Sequence, residues 1–111
     1  MAALAPHLDV AFHALANATR RAVIERLLKG PATVAKLARP FRMALPSFMQ
    51  HLDVLEDAGL VRSWKEGRSR TVEIVPEQLG RAEGWLNKQR ATWEQRLNQF
   101  DAYVKTIEEY R

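Results

Sequence analysis

Cysteine is absent from the 111 residues. That excludes disulfides and thiolate metal sites, and makes a cytoplasmic location the simpler expectation. Histidine is scarce, with three in all. His7 and His13 stand six apart on one predicted helix and so face different sides, a poor start for a tetrahedral metal site. No apolar stretch approaches the ~20 residues a membrane span needs, so no membrane association is expected. Met1 to Val10 carries neither a basic leader nor a cleavage-like site, and does not read as a signal peptide. A cysteine nucleophile and a glycine-rich phosphate loop are both missing. No histidine has an evident serine or carboxylate arrangement around it, so an enzyme is not expected. Repeats and low-complexity tracts are absent as well.

What remains is the composition of one folded domain spanning 1–111. Hydrophobic residues make up 47% and charged residues 27%, which argues against disorder. Seventeen Lys and Arg against thirteen Asp and Glu leave a formal charge of +4. A basic excess of this size suits a polyanionic partner, although many soluble domains carry it with no such role.

Glycine and proline, five of each, punctuate the chain. His7 to Ala16 reads as a first helix, with Leu8, Ala11, Phe12 and Leu15 on one face. Asn17 can cap a second helix by accepting from the free amides of its first turn. That helix places Val23, Ile24, Leu27 and Leu28 inward, and Arg20, Arg21, Glu25 and Arg26 mostly outward, where Arg20 and Arg21 read as structural ion pairs. Gly30-Pro31 ends it. Thr33 can cap a short third helix that closes before Pro40. Phe41 to Ala44 is a tight connection, and a fourth helix opens with Pro46 in its first turn. Its inward stripe is Phe48, Leu52 and Leu55, and Gly59 is its stop.

Two short helices joined by about four residues fit a helix-turn-helix over about 33–58; an ordinary antiparallel helix pair fits too. The next segment favours the first alternative. Val61-Arg62-Ser63-Trp64-Lys65 and Arg70-Thr71-Val72-Glu73-Ile74 are rich in β-branched and aromatic residues and alternate roughly every second position. Joined at Glu66-Gly67-Arg68-Ser69, they predict a hairpin over about 61–75 with Lys65, Arg68 and Arg70 at or near its tip. Such a tip suits phosphate or minor-groove contact. The fold expected is therefore mainly α with a small β-hairpin: a winged helix-turn-helix flanked by long N- and C-terminal dimerisation helices.

Pro76 closes the ribbon, and a long helix follows over about 77–110, where Gly80 and Gly84 allow a bend or a late start. Beyond them Leu86, Trp93, Leu97, Phe100, Val104 and Ile107 recur at three-, four- and seven-residue steps. The short upstream helices cannot cover a stripe this long, so its partner is expected to be a second copy. The predicted two-fold interface is Leu8, Phe12, Trp93, Leu97, Phe100, Val104 and Ile107. The rival arrangement buries the stripe inside one chain.

Asn17-Ala18-Thr19-Arg20-Arg21, Ala35-Lys36-Leu37-Ala38, Leu45-Pro46-Ser47 through His51-Leu52, and Leu55-Glu56-Asp57-Ala58-Gly59-Leu60-Val61 together resemble the ArsR-type winged-helix repressors. The tail, Trp85-Leu86 through Trp93-Glu94-Gln95-Arg96-Leu97, looks like the branch of that family without metal sites. The resemblance runs from roughly Phe12 to Tyr103. It implies a homodimeric transcriptional repressor that uses no cofactor or metal and binds an inverted repeat in promoter DNA. The fourth helix of each subunit would enter successive major grooves. The chain departs from the family pattern in four places. Ala44 replaces a usual serine cap, Met49 a common serine, Asp53 a common basic residue, and Lys36 a frequent glutamate that would complete a capping box with Thr33.

With Phe48, Leu52 and Leu55 inward, the opposite face of the fourth helix offers Pro46, Met49, Gln50 and Asp53, with Leu45 and Ser47 at its start. Gln50 can pair bidentately with adenine, and Leu45 and Met49 can pack on thymine methyls. Ser47 and His51 suit phosphate, His51 equally well helix packing. Arg68 and Arg70 are the wing contacts, and Arg42 in the turn is a further phosphate candidate. Two other functions stay open: a winged-helix interaction dimer that has lost DNA binding, and a histidine-based metal-responsive repressor.

Overall fold

Caps and stops written in the sequence set the element boundaries. The computed structural model describes residues 6–110. Any part of the leader and domain expectations that falls on residues 1–5 or 111 lies outside the described residues. Helix α1 (Pro6–Leu15) leads into α2 (Ala18–Leu27), where the Asn17 side chain accepts from the Arg20 amide at 3.1 Å as expected. Strand β1 (Ala32–Thr33) is followed by α3 (Val34–Ala38), whose first turn is capped by Thr33 Oγ1 accepting from the Lys36 amide at 3.3 Å. Helix α4 (Leu45–Asp57) precedes β2 (Val61–Glu66) and β3 (Ser69–Ile74), and α5 (Pro76–Glu109) completes the order.

Gly59, at φ +72°, turns the chain out of α4 in a conformation costly for any side chain bearing a Cβ. Gly67 at φ +62°, followed by an Arg68 without positive φ, fits a type II′ two-residue hairpin loop. The expected hairpin forms, with Val61 opposite Ile74 and Glu66 opposite Ser69. The sheet has one strand more than the sequence indicated. Ala32 and Thr33 pair with Val72 and Thr71, giving an antiparallel order β1-β3-β2. Two residues carry no periodicity; the free edge of β3 is what makes them a strand.

Below the sheet, Val23, Leu27, Leu37, Phe48, Leu55, Leu60 and Val72 form one buried core. The inward stripe predicted for α4 is buried in full, Phe48 and Leu55 being 0% exposed. These helices with a two-stranded wing make a winged helix-turn-helix.

Helix α5 runs unbroken through Gly80 and Gly84, a length of about 51 Å at 1.5 Å per residue. Its first turns lie on the domain: Ala82 is buried, and Trp85 meets Phe12 edge-on at 5.9 Å between ring centroids. The rest extends away, which gives the molecule its 76 × 34 × 22 Å dimensions. Trp93 is 62% and Phe100 63% exposed, with Leu97 and Ile107 also exposed and Val104 and Leu8 half-buried. The alternative in which one chain buries its own stripe is therefore not what is found. No described helix is long and apolar enough to cross a membrane.

Candidate nucleic-acid interface

The placement of α4 depends on contacts at both of its ends. At the start, the Phe41 ring packs against Phe48 at 5.6 Å, tying the connecting turn to the helix. Ala44 provides no side-chain cap, as its methyl group requires, and Pro46 occupies the first turn without losing a needed amide. Midway along, α4 meets a residue that sequence reasoning placed wrongly. Arg20 was expected outward in an ion pair, but it is buried, 9% exposed. Its Nε donates to the Ala14 carbonyl at 2.7 Å and its Nη2 to the His13 carbonyl at 3.0 Å. Both carbonyls lie at the end of α1, the His13 one also accepting from the Ala16 amide at 3.2 Å, so the guanidinium acts as a C-terminal cap. Arg21 likewise donates to the Leu15 carbonyl, at 2.8 Å, rather than to a carboxylate.

The third Arg20 contact is Nη1 to His51 Nδ1 on α4, at 3.1 Å. Arginine has only donors, so Nδ1 accepts and the histidine proton sits on Nε2. Of the two roles open to His51, this is the packing one: its half-buried ring joins α4 to α1 through Arg20. Met49 also turns inward, half-buried against the core instead of sharing the open face with Gln50. The exposed positions of the first turns are Leu45, Pro46, Ser47 and Gln50, and Arg42 is exposed in the preceding turn.

The wing divides its charges by strand alternation. On one face Trp64 Nε1 donates to Glu66 Oε1 at 2.9 Å, and Arg62 pairs with Glu73 directly across the strands. Glu66 is thereby engaged on the face opposite Arg70. Among the described residues the ion pairs are Arg62–Glu73 and Arg90–Glu94, and neither includes Lys65, Arg68 or Arg70. Arg68, Arg70 and Leu45 line one open cavity of about 230 Å³ with Thr33 to Ala35. The start of α4 and the basic wing thus border a common concavity, as a groove-binding surface needs.

A second cavity, about 330 Å³, lies between α4 and the inner face of the wing. Leu52, Val61 and Val72 floor it, and Asp53, Glu56, Ser63 and Arg70 supply its polar wall. Asp53 therefore shares a wall with Arg70. One bond crosses from wing to helix, Ser63 Oγ donating to Glu56 Oε1 at 3.0 Å, and within the wing Arg70 Nη1 donates to Ser63 Oγ at 2.9 Å. Sequence reasoning missed Glu56 and Ser63. The available signal was that Ser63 follows Val61 on the inward side of a β-alternation, a polar residue where an apolar one is usual.

The fold is shared with known regulators. Residues 15–63 match the family model described as a helix-turn-helix domain. The chain is 44% identical over 71 residues to the HTH-type transcriptional regulator Rv2034 of Mycobacterium tuberculosis, an alignment covering 64% of this chain and 66% of that protein. It is 30% identical over 81 residues to the transcriptional repressor SdpR of Bacillus subtilis, covering 69% of this chain and 90% of that one. Among solved structures, the ArsR family transcriptional regulator RHA00566 superposes with a TM-score of 0.79 at 52% identity, over 85% of this chain and 97% of that chain. The chain belongs to the ArsR family of winged helix-turn-helix transcriptional regulators.

Proposed function

We propose that this regulator is a cytoplasmic homodimeric repressor that binds an inverted-repeat operator through α4 and the wing, without a metal cofactor. The observation that carries this reading is the concavity shared by Leu45 and the unpaired-by-carboxylate arginines 68 and 70. On this reading Gln50, exposed on the same helix, reads a base edge, Leu45 packs on thymine methyls, and Ser47, Arg42, Arg68 and Arg70 meet phosphates or the minor groove. The exposed stripe of α5 supports pairing with a second copy, since an isolated chain leaves two large aromatic rings and several aliphatic residues in water. Repression is the activity named for the Bacillus relative, and it is the activity proposed for this chain. Metal independence rests on the donor inventory: cysteine is missing from the sequence, and among the described residues no three His, Asp or Glu side chains converge.

The test is selection of duplexes from a randomised pool, followed by titration of the winning duplex at two salt concentrations. Binding should weaken steeply with salt. Arg68→Ala should lower the slope of log affinity against log salt by about 1, uniformly across sequences. Gln50→Ala should cost roughly five- to a hundredfold on the selected duplex and little on random DNA. A protein that has become an interaction dimer would enrich no duplex. A histidine-based metal sensor would change its affinity on adding zinc or chelator.

A further inference from the structure

We propose that Ser63 and Glu56 are positioning residues for DNA recognition: they fix the direction of the Arg70 guanidinium and lock the wing to the recognition helix. This rests on the DNA-binding reading of α4 and the wing, and adds to it a specific device. Arg70 is unlike Arg68. Arg68 sits in the hairpin loop, with no hydrogen bond to another side chain among the described residues. Arg70 is bonded at 2.9 Å to Ser63, and Ser63 in turn at 3.0 Å to Glu56 on α4.

The register explains how the three meet. Ser63 stands opposite Val72, so Arg70, two residues away, is its diagonal neighbour on the same face of the hairpin. That face looks onto α4, where Glu56 lies one turn beyond Asp53. The order of donors is also fixed. The guanidinium can only donate, the carboxylate only accept, and the serine hydroxyl does one of each. The chain therefore runs from cation through hydroxyl to carboxylate in a single sense, each bond polarising the next.

The consequence is directional. Arg70 borders both cavities, the one shared with Leu45 and the one under the wing. One of its two terminal nitrogens is held by Ser63. Among the described residues its other terminal nitrogen has no side-chain partner, and the residue is exposed. An arginine already oriented loses less side-chain freedom when it binds, and this is how such a relay raises affinity without touching DNA. Glu56 and Ser63 need make no contact with the nucleic acid.

A double-mutant cycle tests this on the full-length protein and the duplex it selects from a random pool. Ser63→Ala and Glu56→Ala should each weaken binding roughly three- to tenfold, the range of a lost hydrogen bond. In an Arg70→Ala background the same substitutions should have almost no further effect, because their influence passes through Arg70. Ser63→Thr, which keeps the hydroxyl on a β-favouring residue, should restore most of the loss. Melting temperatures measured alongside separate positioning from stability. Equal losses with and without Arg70, or losses that follow the melting temperature alone, would overturn the proposal while leaving the DNA-binding reading standing. A wild-type protein that selects no duplex would remove both.

Discussion

Arg20 is the residue whose role departs most from what its type suggests. It is flanked in sequence by Thr19 and Arg21, so a charged face turned to solvent was the natural expectation. It is instead buried and hydrogen-bonded on three sides. Nothing in a linear pattern signals this, because its partners are backbone carbonyls of α1 and a histidine 31 positions away on α4. The same distance effect hid the Arg70–Ser63–Glu56 chain. Gln50 and Arg68, by contrast, are exposed as expected from the periodicity of α4 and the hairpin turn. Removing Arg20 takes the guanidinium donor from the Ala14 carbonyl and from His51 Nδ1, and Arg20→Met should destabilise the fold by about 2–4 kcal/mol in urea unfolding. Arg20→Lys should recover little of this, since one ammonium cannot reach the three acceptors that the planar fork spans. Full rescue by lysine would mean that charge alone, not the fork, is what the site uses.

At the scale of elements, most boundaries could be read from single residues with local physical effects. Asn17 and Thr33 cap, Gly59 stops α4, and Pro46 and Pro76 occupy first turns. Each acts within about four residues, which is why the sequence suffices to find them. Strand β1 escaped because it exists only through β3. Met49 escaped because a helix wheel divides faces evenly, whereas the wing folds over one flank of α4 and extends the buried side to it. Ala44 is a local weakness that the sequence did reveal, and the structure agrees: the recognition helix begins without a side-chain cap. Ala44→Ser has an extended backbone ready for it, φ −65° and ψ 146°. The substitution should stabilise the protein by about 0.5–1.5 kcal/mol, seen as a higher melting temperature. An unchanged or lower value would mean that the α4 amides are already satisfied another way.

For the whole molecule, the uneven division between a compact head and a projecting α5 is the dominant fact. The head has its own core, while the far half of α5 carries exposed apolar residues with none of that core against them among the described residues. The three-, four- and seven-residue spacing exposed this surface in the sequence, because a stripe needs only helical periodicity to be seen. The proposed cover is a second copy, which one chain's pattern can imply but not depict. Phe100→Glu places a charge in the middle of the stripe and should convert the dimer to monomer by sedimentation equilibrium, with helical content retained. A dimer unaffected by it would place the interface elsewhere.

The central claim is that two copies of the α4–wing surface face one palindrome, and a hydroxyl-radical footprint on the selected duplex tests it most directly. The account predicts two protected half-sites related by two-fold symmetry, with centres about 34 Å or one helical turn apart, and loss of both together in Phe100→Glu. Protection of a single half-site by the wild-type protein, or none at all, would contradict it.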